Sequence, residues 1–238
     1  MVYKFWHGWS HHLQRYCLLC QNSSNHAQHF GLCNECYDNL PHLQHACGRC
    51  ALPLAVSRPL CGRCQQQLPA FDTCLCPLLY SAPLPNLISR LKKHHDGASI
   101  RLLAGLLASH LEQHQQGWPD VIITTPMYWR RNLQRGNNHS HLLAKQLQQI
   151  LSLPYQPGLL RRVRATPDQK GLDAKARRHN LRGAFTVKGS VNGLHIAVVD
   201  DVITTTSTMQ EMAKTLKAAG ARQVDAWAIA RTPAAGFA

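Results

Sequence analysis

Apolar and polar positions change in blocks along this chain, and the clearest block runs from Leu194 to Thr208. Five residues that can be buried, with His195 as the exception, lead into two adjacent carboxylates and then into a run of hydroxyls. This order predicts a buried parallel strand, a loop and an amphipathic helix that ends near Gly220. The apolar face of that helix comprises Met209, Met212, Ala213, Leu216 and Ala219.

The chain before this block alternates between strand and helix patterns from Pro77 onward. Such alternation predicts an α/β fold, a parallel sheet flanked by helices, with ligands at the carboxyl ends of the strands. Residues 124–131 and 200–208 would then share one rim. The predicted elements are an edge strand at 77–82, helices at Pro85–His94, Ala98–Gln115 and His139–Leu151, and strands at Asp120–Pro126 and Gln223–Arg231.

The hydroxyl run lies where a helix begins, and unpaired N–H groups there favour a phosphate. The carboxylates of Asp200 and Asp201 would repel a phosphate but accept hydrogen bonds from a vicinal diol. Together they predict a ribose 5-phosphate site. The alternative is a solvated acidic pair followed by helix-capping hydroxyls. The hydroxyl residues are Thr204, Thr205, Thr206, Ser207 and Thr208.

Eight of the ten cysteines form four CxxC pairs separated by 12, 10 and 10 residues. This repeat predicts two structural zinc sites with four thiolate ligands each, whose closed coordination leaves no open position. Consecutive and interleaved pairing both fit the spacing, whereas a thioredoxin-type redox motif explains one pair but not four. The predicted ligands are Cys17, Cys20, Cys33, Cys36, Cys47, Cys50, Cys61 and Cys64.

The remaining cysteines and the nearby histidines are not expected to bind zinc. Cys74 and Cys76 are predicted to be small buried side chains at a domain junction. A complete cysteine set leaves no need for the histidines between the pairs, which are His26, His29, His42 and His45.

Composition bounds the class of protein. The 238 residues, 45 % of them hydrophobic, suit a small zinc-ribbon domain at 1–70 and a larger domain at 77–238. The sequence has neither an apolar run long enough for membrane insertion nor the hydrophobic region of a signal peptide. Together with paired cysteines that favour metal over disulfides, this predicts a cytoplasmic protein.

The positive charge is concentrated between Trp129 and Lys188, which hold 13 of the 26 Lys and Arg residues but two of the 12 acidic ones. A pyrophosphate at the rim and a nucleic-acid backbone are both suitable partners, and a solvated basic face is the alternative. The polar insertion at 161–185 is predicted to be a lid over a phosphorylated substrate. Its candidate contacts are Gln169, Lys170, Arg177, Arg178 and Asn180.

The segment VVDDVITTTST resembles the phosphoribosyl pyrophosphate (PRPP) loop of type I phosphoribosyltransferases. The resemblance implies that Asp200 and Asp201 hold the ribose hydroxyls and that the Thr-rich turn holds the 5-phosphate. Thr206 stands where that family has glycine. Either the loop accepts Thr206 in ordinary φ/ψ space, or phosphate binding is weakened.

Nearly the whole chain resembles the ComF family, in particular its GntX-type branch. The resemblance rests on the order of the CxxC pairs, LISRLKKHHD, TTPMYWRRNLQRGNNHS, RRVRATPDQKGLDAKARRHNLRGAF, the PRPP loop and the strand ending AIART. It implies a double zinc ribbon joined to a type I phosphoribosyltransferase-like domain, and a role in competence and DNA uptake or utilisation. The usual Pro-Val-Pro of the family is replaced by Thr-Thr-Pro at residues 124–126, and the usual Arg-Gly-Phe-Asn-Gln by Arg-Gly-Asn-Asn-His at residues 135–139. These replacements do not affect the fold that the resemblance implies, but they count against catalytic activity.

Three functions follow as expectations. The first is a phosphoribosyltransferase, in which a base attacks Mg²⁺-bound PRPP and Arg130, Arg131 and Lys170 stabilise the leaving pyrophosphate. The second is a PRPP-binding, non-catalytic protein of DNA uptake that works with a helicase or another competence protein. The third is a zinc-ribbon adaptor that binds single-stranded DNA.

Overall fold

The computed structural model describes residues 16–22, 29–94, 96–126, 139–164 and 181–234. Two short helices lie in the cysteine-rich segment, and longer helices alternate with strands after it. In chain order the elements are α1 (Asn34–Asp38), α2 (Gly62–Gln66), β1 (Thr73–Leu75), β2 (Leu78–Leu79), α3 (Leu84–His94), α4 (Gly97–His114), β3 (Val121–Thr124), α5 (His139–Leu151), β4 (Leu160–Arg162), β5 (Phe185–Val187), β6 (His195–Ile203), α6 (Ser207–Ala218) and β7 (Gln223–Arg231).

Five of the strands form a parallel sheet in the order β1-β7-β6-β3, with β2 also paired to β7. The long strands β6 and β7 lie at its centre, where Val198 pairs with Ile123 on one side and Ala226 on the other. The predicted α/β class and the predicted strands and helices are confirmed. The sequence pattern did not predict β1 or the antiparallel β4–β5 pair.

Each face of the sheet is covered by its own apolar cluster, because successive residues of a strand point to opposite faces. Ala197 and Val199 of β6 pack with α4 and α5, whereas Ile196 and Val198 pack with α6. The cysteine-rich segment contributes to both apolar clusters: Cys17 belongs to the one that contains α4 and α5, and Cys47 to the one that contains α6. The predicted domain boundary between residues 70 and 77 stays a prediction.

Helix α6 ends in a Schellman motif. Gly220 has a φ of +101°, and its N–H donates to the Lys217 carbonyl at 3.0 Å while the Ala221 N–H donates to the Leu216 carbonyl at 3.1 Å. Glycine adopts this left-handed conformation without a Cβ penalty. The predicted cap is confirmed, but Ala219 is exposed rather than part of the buried face, because it lies beyond the last helical residue.

No helix among the described residues is long and apolar enough to cross a membrane.

Candidate functional site

The two adjacent carboxylates lie at the carboxyl end of the central strand. Strand β6 continues through Asp200 and Asp201 to Ile203, so the acidic pair belongs to the strand and not to the loop after it. Both residues are half-buried. Parallel pairing with β3 brings Thr124 opposite Val199 at the same rim, as the sequence pattern predicted.

Asp200 is held by donors from three parts of the chain. Thr125, just after β3, donates its hydroxyl to Oδ2 at 2.9 Å, and Ser140 of α5 donates to Oδ1 at 3.1 Å. The N–H of Asp201 donates to Oδ1 at 2.9 Å. These bonds orient the carboxylate before any ligand arrives.

Sequence reasoning did not assign Thr125 and Ser140 this role. Thr125 is one of the residues that replace the usual Pro-Val-Pro of the resembled family, so the replacement was itself a signal. Ser140 is 6 % exposed at the start of α5, and a buried hydroxyl needs a partner. The substitution at Thr125 therefore supplies a bond to the acidic pair.

Burial, followed by the adjacent charge of Asp201, raises the pKa of Asp200 to about 7. The donated hydrogen bonds from Asp201 and Thr125 oppose this shift only in part. Two carboxylates this close do not both ionise easily, so the pair holds a proton near neutral pH. A bound cation or hydroxyl donor would favour the fully ionised pair.

The turn after β6 has the backbone of a glycine loop. Thr206 adopts φ 62° and ψ −6°, the left-handed conformation, directly before α6. The sequence-based alternative that Thr206 sits in ordinary φ/ψ space is wrong. This conformation is sterically unfavourable for a β-branched residue. A left-handed residue next to a helical one nevertheless forms a concave nest of N–H groups, which suits an anion.

Two hydroxyls of this turn donate hydrogen bonds within the turn, and the hydroxyl at the N-cap position does not cap α6. Thr206 donates its hydroxyl to the Thr205 carbonyl at 2.6 Å, and the Thr205 hydroxyl donates to Ser207 Oγ at 3.1 Å. The residue before the helix makes no side-chain cap hydrogen bond. The alternative in which these hydroxyls serve as helix caps is therefore not supported at Thr206, the N-cap position.

Several predicted site residues lie outside the described part of the chain. They are Arg130, Arg131 and Lys170, predicted to stabilise pyrophosphate, and all the lid contacts: Gln169, Lys170, Arg177, Arg178 and Asn180. Their roles stay predictions. The flanks of the insertion are described and form the β4–β5 pair. Four basic residues are exposed on or beside it: Arg161, Arg164, Arg182 and Lys188.

The eight paired cysteines form two four-thiol clusters. The first contains Cys17, Cys20, Cys33 and Cys36, and the second contains Cys47, Cys50, Cys61 and Cys64. Consecutive pairing is therefore confirmed and interleaved pairing is wrong, because each pair of knuckles folds onto its neighbour.

The spacing of the sulfurs fits zinc. Zn–S bonds of about 2.3 Å in a tetrahedron place sulfurs about 3.8 Å apart. The Sγ atoms of Cys20 and Cys33 are 3.9 Å apart, and those of Cys50 and Cys61 are 3.7 Å apart. The four thiols of the second cluster are all buried, whereas Cys20 of the first is exposed.

The electrostatics of the clusters also favour a cation. Burial works to raise the pKa of Cys17, but N–H groups of Cys33, Cys20 and Leu19 outweigh it and lower that pKa to about 6. Burial, with the nearby Cys47 contributing, raises the pKa of Cys50 to about 12. Four crowded thiols cannot all ionise alone, and a divalent metal removes this repulsion.

The burial predicted for the two remaining cysteines is confirmed, and the described imidazoles of the cysteine-rich segment lie outside the two thiol clusters. Cys74 and Cys76 are buried, at 3 % and 2 % exposure. His29, His42 and His45 belong to neither thiol cluster, and His26 lies outside the described residues. His195, the exception in the apolar strand, bonds Asp225 at 2.7 Å at the opposite end of the sheet from the acidic pair.

Known proteins resemble this chain over most of its length. The Double zinc ribbon domain family matches residues 13–65. Competence protein F of Haemophilus influenzae is 36 % identical over 222 residues, which cover 90 % of this chain and 96 % of that protein. DNA utilization protein YhgH of Salmonella typhimurium is 34 % identical over 220 residues, which cover 91 % and 96 %.

Solved structures of phosphoribosyltransferases align with a little more than half of the chain. The adenine phosphoribosyltransferase from Thermoanaerobacter pseudethanolicus is 14 % identical with a TM-score of 0.38, over 58 % of this chain and 83 % of that one. The purine phosphoribosyltransferase from Pyrococcus horikoshii is 19 % identical with a TM-score of 0.34, over 54 % and 70 %. These likenesses concern the fold alone.

Proposed function

The chain belongs to the ComF family, which includes competence protein F and DNA utilization protein YhgH, and we propose that it binds PRPP or another ribose 5-phosphate in the uptake or use of DNA. The observation that carries this proposal is the junction of β6 and α6. An oriented acidic pair is followed within a few residues by a left-handed turn and a helix N-terminus.

Each half of this junction suits one half of the ligand. Asp201 and Asp200 accept hydrogen bonds from the ribose hydroxyls, with Asp200 already oriented by Thr125 and Ser140. The nest at Thr206 and the first turn of α6 donate N–H groups to the 5-phosphate. Mg²⁺ prefers carboxylate and phosphate oxygens, so it would accompany the pyrophosphate of PRPP at this rim.

Calorimetric titration of the zinc-loaded protein tests the proposal. PRPP and ribose 5-phosphate are titrated with and without Mg²⁺ into wild type, Asp201→Asn and Glu112→Gln. Glu112 is an exposed acid on α4, so its variant removes the same charge away from the junction. We expect saturable binding that Asp201→Asn weakens about tenfold or more and Glu112→Gln preserves. Absence of heat in wild type, or equal affinities in all three proteins, would refute the proposal.

A second candidate function, contact with single-stranded DNA, is supported by the exposed cations of the β4–β5 pair. Four exposed basic residues lie on or beside these two short strands: Arg161, Arg164, Arg182 and Lys188. Backbone contacts release counterions, so affinity should fall with salt by a log–log slope near −0.7 per phosphate contact. Arg161→Gln with Lys188→Gln should flatten that slope by about 1 to 2 units. A slope near zero in wild type would exclude this role.

A further inference from the structure

A buried arginine connects the second cysteine cluster to the turn at the end of β6. Arg231, the last residue of β7, is a charged residue that is only 3 % exposed. The preceding residues of the strand, from Val224 to Ala230, are apolar except for Asp225. Its Nε donates to the carbonyl of Cys50 at 3.1 Å. Its Nη1 donates to the carbonyls of Ile203 at 3.0 Å, Thr232 at 2.8 Å and also Thr204.

These bonds fix the direction of the loop amides. In a trans peptide the C=O of one residue and the N–H of the next point in opposite directions. Because the carbonyls of Ile203 and Thr204 face the buried guanidinium, the N–H groups of Thr204 and Thr205 point away from it. Arg231 therefore positions donors at the start of the nest without occupying the site itself.

The other end of the same guanidinium depends on the second thiol cluster. Cys50 contributes its sulfur to that cluster, 3.7 Å from Cys61 Sγ, and its carbonyl to Arg231. Nearby contacts fix the segment after the ribbon on α6: Gln210 accepts from the Ala70 N–H at 2.8 Å, and Lys217 pairs with Asp72 at 2.7 Å. A change in the backbone at Cys50 would therefore shift the guanidinium of Arg231, and with it the carbonyls of the turn after β6 that this guanidinium holds.

We propose that Arg231 is a positioning residue that couples zinc at the second cluster to the phosphate-binding turn, so that metal loading there raises the affinity for phosphorylated ribose. This rests on the proposed function for its ligand, but the coupling between cluster and turn can be measured without one. The first thiol cluster packs with the apolar side chains on the other face of the sheet. Among the described hydrogen bonds, none connects it to the turn after β6.

Amide hydrogen exchange of Gln210 and Thr232 provides the readout that is independent of ligand. Their N–H groups donate to the carbonyls of Thr206 and Ile203 at 2.8 and 3.0 Å, so their protection depends on the conformation of the turn. Arg231→Lys keeps the charge but loses the planar fork that reaches several carbonyls. With both zinc ions still bound, it should speed exchange of these amides by roughly tenfold or more. Arg222→Lys is the matched control, because Arg222 also donates to a main-chain carbonyl, that of Gly193, at the other end of the sheet. It should leave the exchange of Gln210 and Thr232 unchanged.

The two zinc sites are then compared directly. Cys64→Ser removes a ligand of the second cluster and should accelerate exchange of the turn much more than Cys36→Ser, which removes a ligand of the first. PRPP affinity should fall in the same order. Thermodynamic linkage also requires a reciprocal effect: PRPP should tighten zinc binding at the second thiol cluster by the same factor by which that zinc tightens PRPP binding. A chelator competition measures this factor.

Outcomes for the two proposals are separable. A turn that is insensitive to Arg231→Lys, or equally sensitive to Cys64→Ser and Cys36→Ser, would overturn the coupling even if PRPP binds. A zinc-dependent turn in a protein that binds no PRPP would support the coupling and refute the proposed ligand.

Discussion

Replacing Thr206 by glycine should make the protein more stable by up to about 1 kcal/mol. A left-handed conformation costs an L-residue about 1–2 kcal/mol, and more when the residue is β-branched, as Thr206 is at φ 62°. Glycine removes this strain. Against it stand the larger chain entropy of glycine, about 0.5–1 kcal/mol, and the lost hydrogen bond from the Thr206 hydroxyl to the Thr205 carbonyl.

Urea unfolding of the zinc-loaded protein measures this gain. The midpoint should rise with an unchanged m-value, and the melting temperature should increase by up to about 2–4 °C. Ser152→Gly is the matched control, because Ser152 is exposed, has a φ of 55° and lies just after α5, away from the turn. It should show a similar gain in stability. Thr206→Ala keeps the Cβ and should gain less than Thr206→Gly.

Affinity for PRPP should respond differently from stability. Because the free turn already has the glycine-type backbone, Thr206→Gly should bind PRPP within about threefold of wild type. If Thr206→Gly gave no gain in stability while Ser152→Gly did, the backbone strain would not be at residue 206. An affinity gain of about tenfold or more would show that the threonine side chain obstructs the ligand, contrary to a preformed nest.

Three further predictions concern the acidic pair, the thiol clusters and the cap of α6. The pKa of Asp200 is raised to about 7 in the folded chain from about 3.9 in the unfolded chain, so the folded state binds more protons between these two values. The free energy of unfolding should therefore fall as pH rises toward about 7 and level off above it, and Asp200→Asn should flatten this dependence in urea unfolding at about pH 5, 6, 7 and 8 with zinc content checked. A chelator should remove zinc from the first thiol cluster before the second, because one thiol of the first cluster is exposed whereas all four of the second are buried. Dye-monitored zinc release should be fast from Cys64→Ser, which retains the first cluster, and slow from Cys36→Ser, which retains the second. Gly220→Ala should destabilise by about 1–2 kcal/mol, because φ is +101° and the new Cβ would lie 2.8 Å from an asparagine oxygen; Gly158→Ala, at φ +90° with no atom closer than 4.0 Å, should cost less in the same urea assay.

The elements of the sheet and its helices could be predicted because their patterns are periodic and long. The uncharged run before Asp200 is short and is followed by a polar turn and a helical pattern, which predicted a buried strand. The strand from Gln223 to Arg231 was predicted with the bounds that the structure gives. Short elements such as β1 and β4 escaped prediction, because three residues are too few to show a period. The bonds of Asp200 escaped it because Thr125 and Ser140 are distant in sequence.

By itself the sequence determined the class of fold, the eight thiol ligands, and the acidic and hydroxyl residues around one strand end, because residue type and spacing carry this information locally. Only the tertiary structure decided which cysteine pairs share a cluster, that Thr206 is left-handed, and that Arg231 joins Cys50 to Thr204. Each of these depends on segments brought together by packing, and the local pattern around none of them specifies its partner.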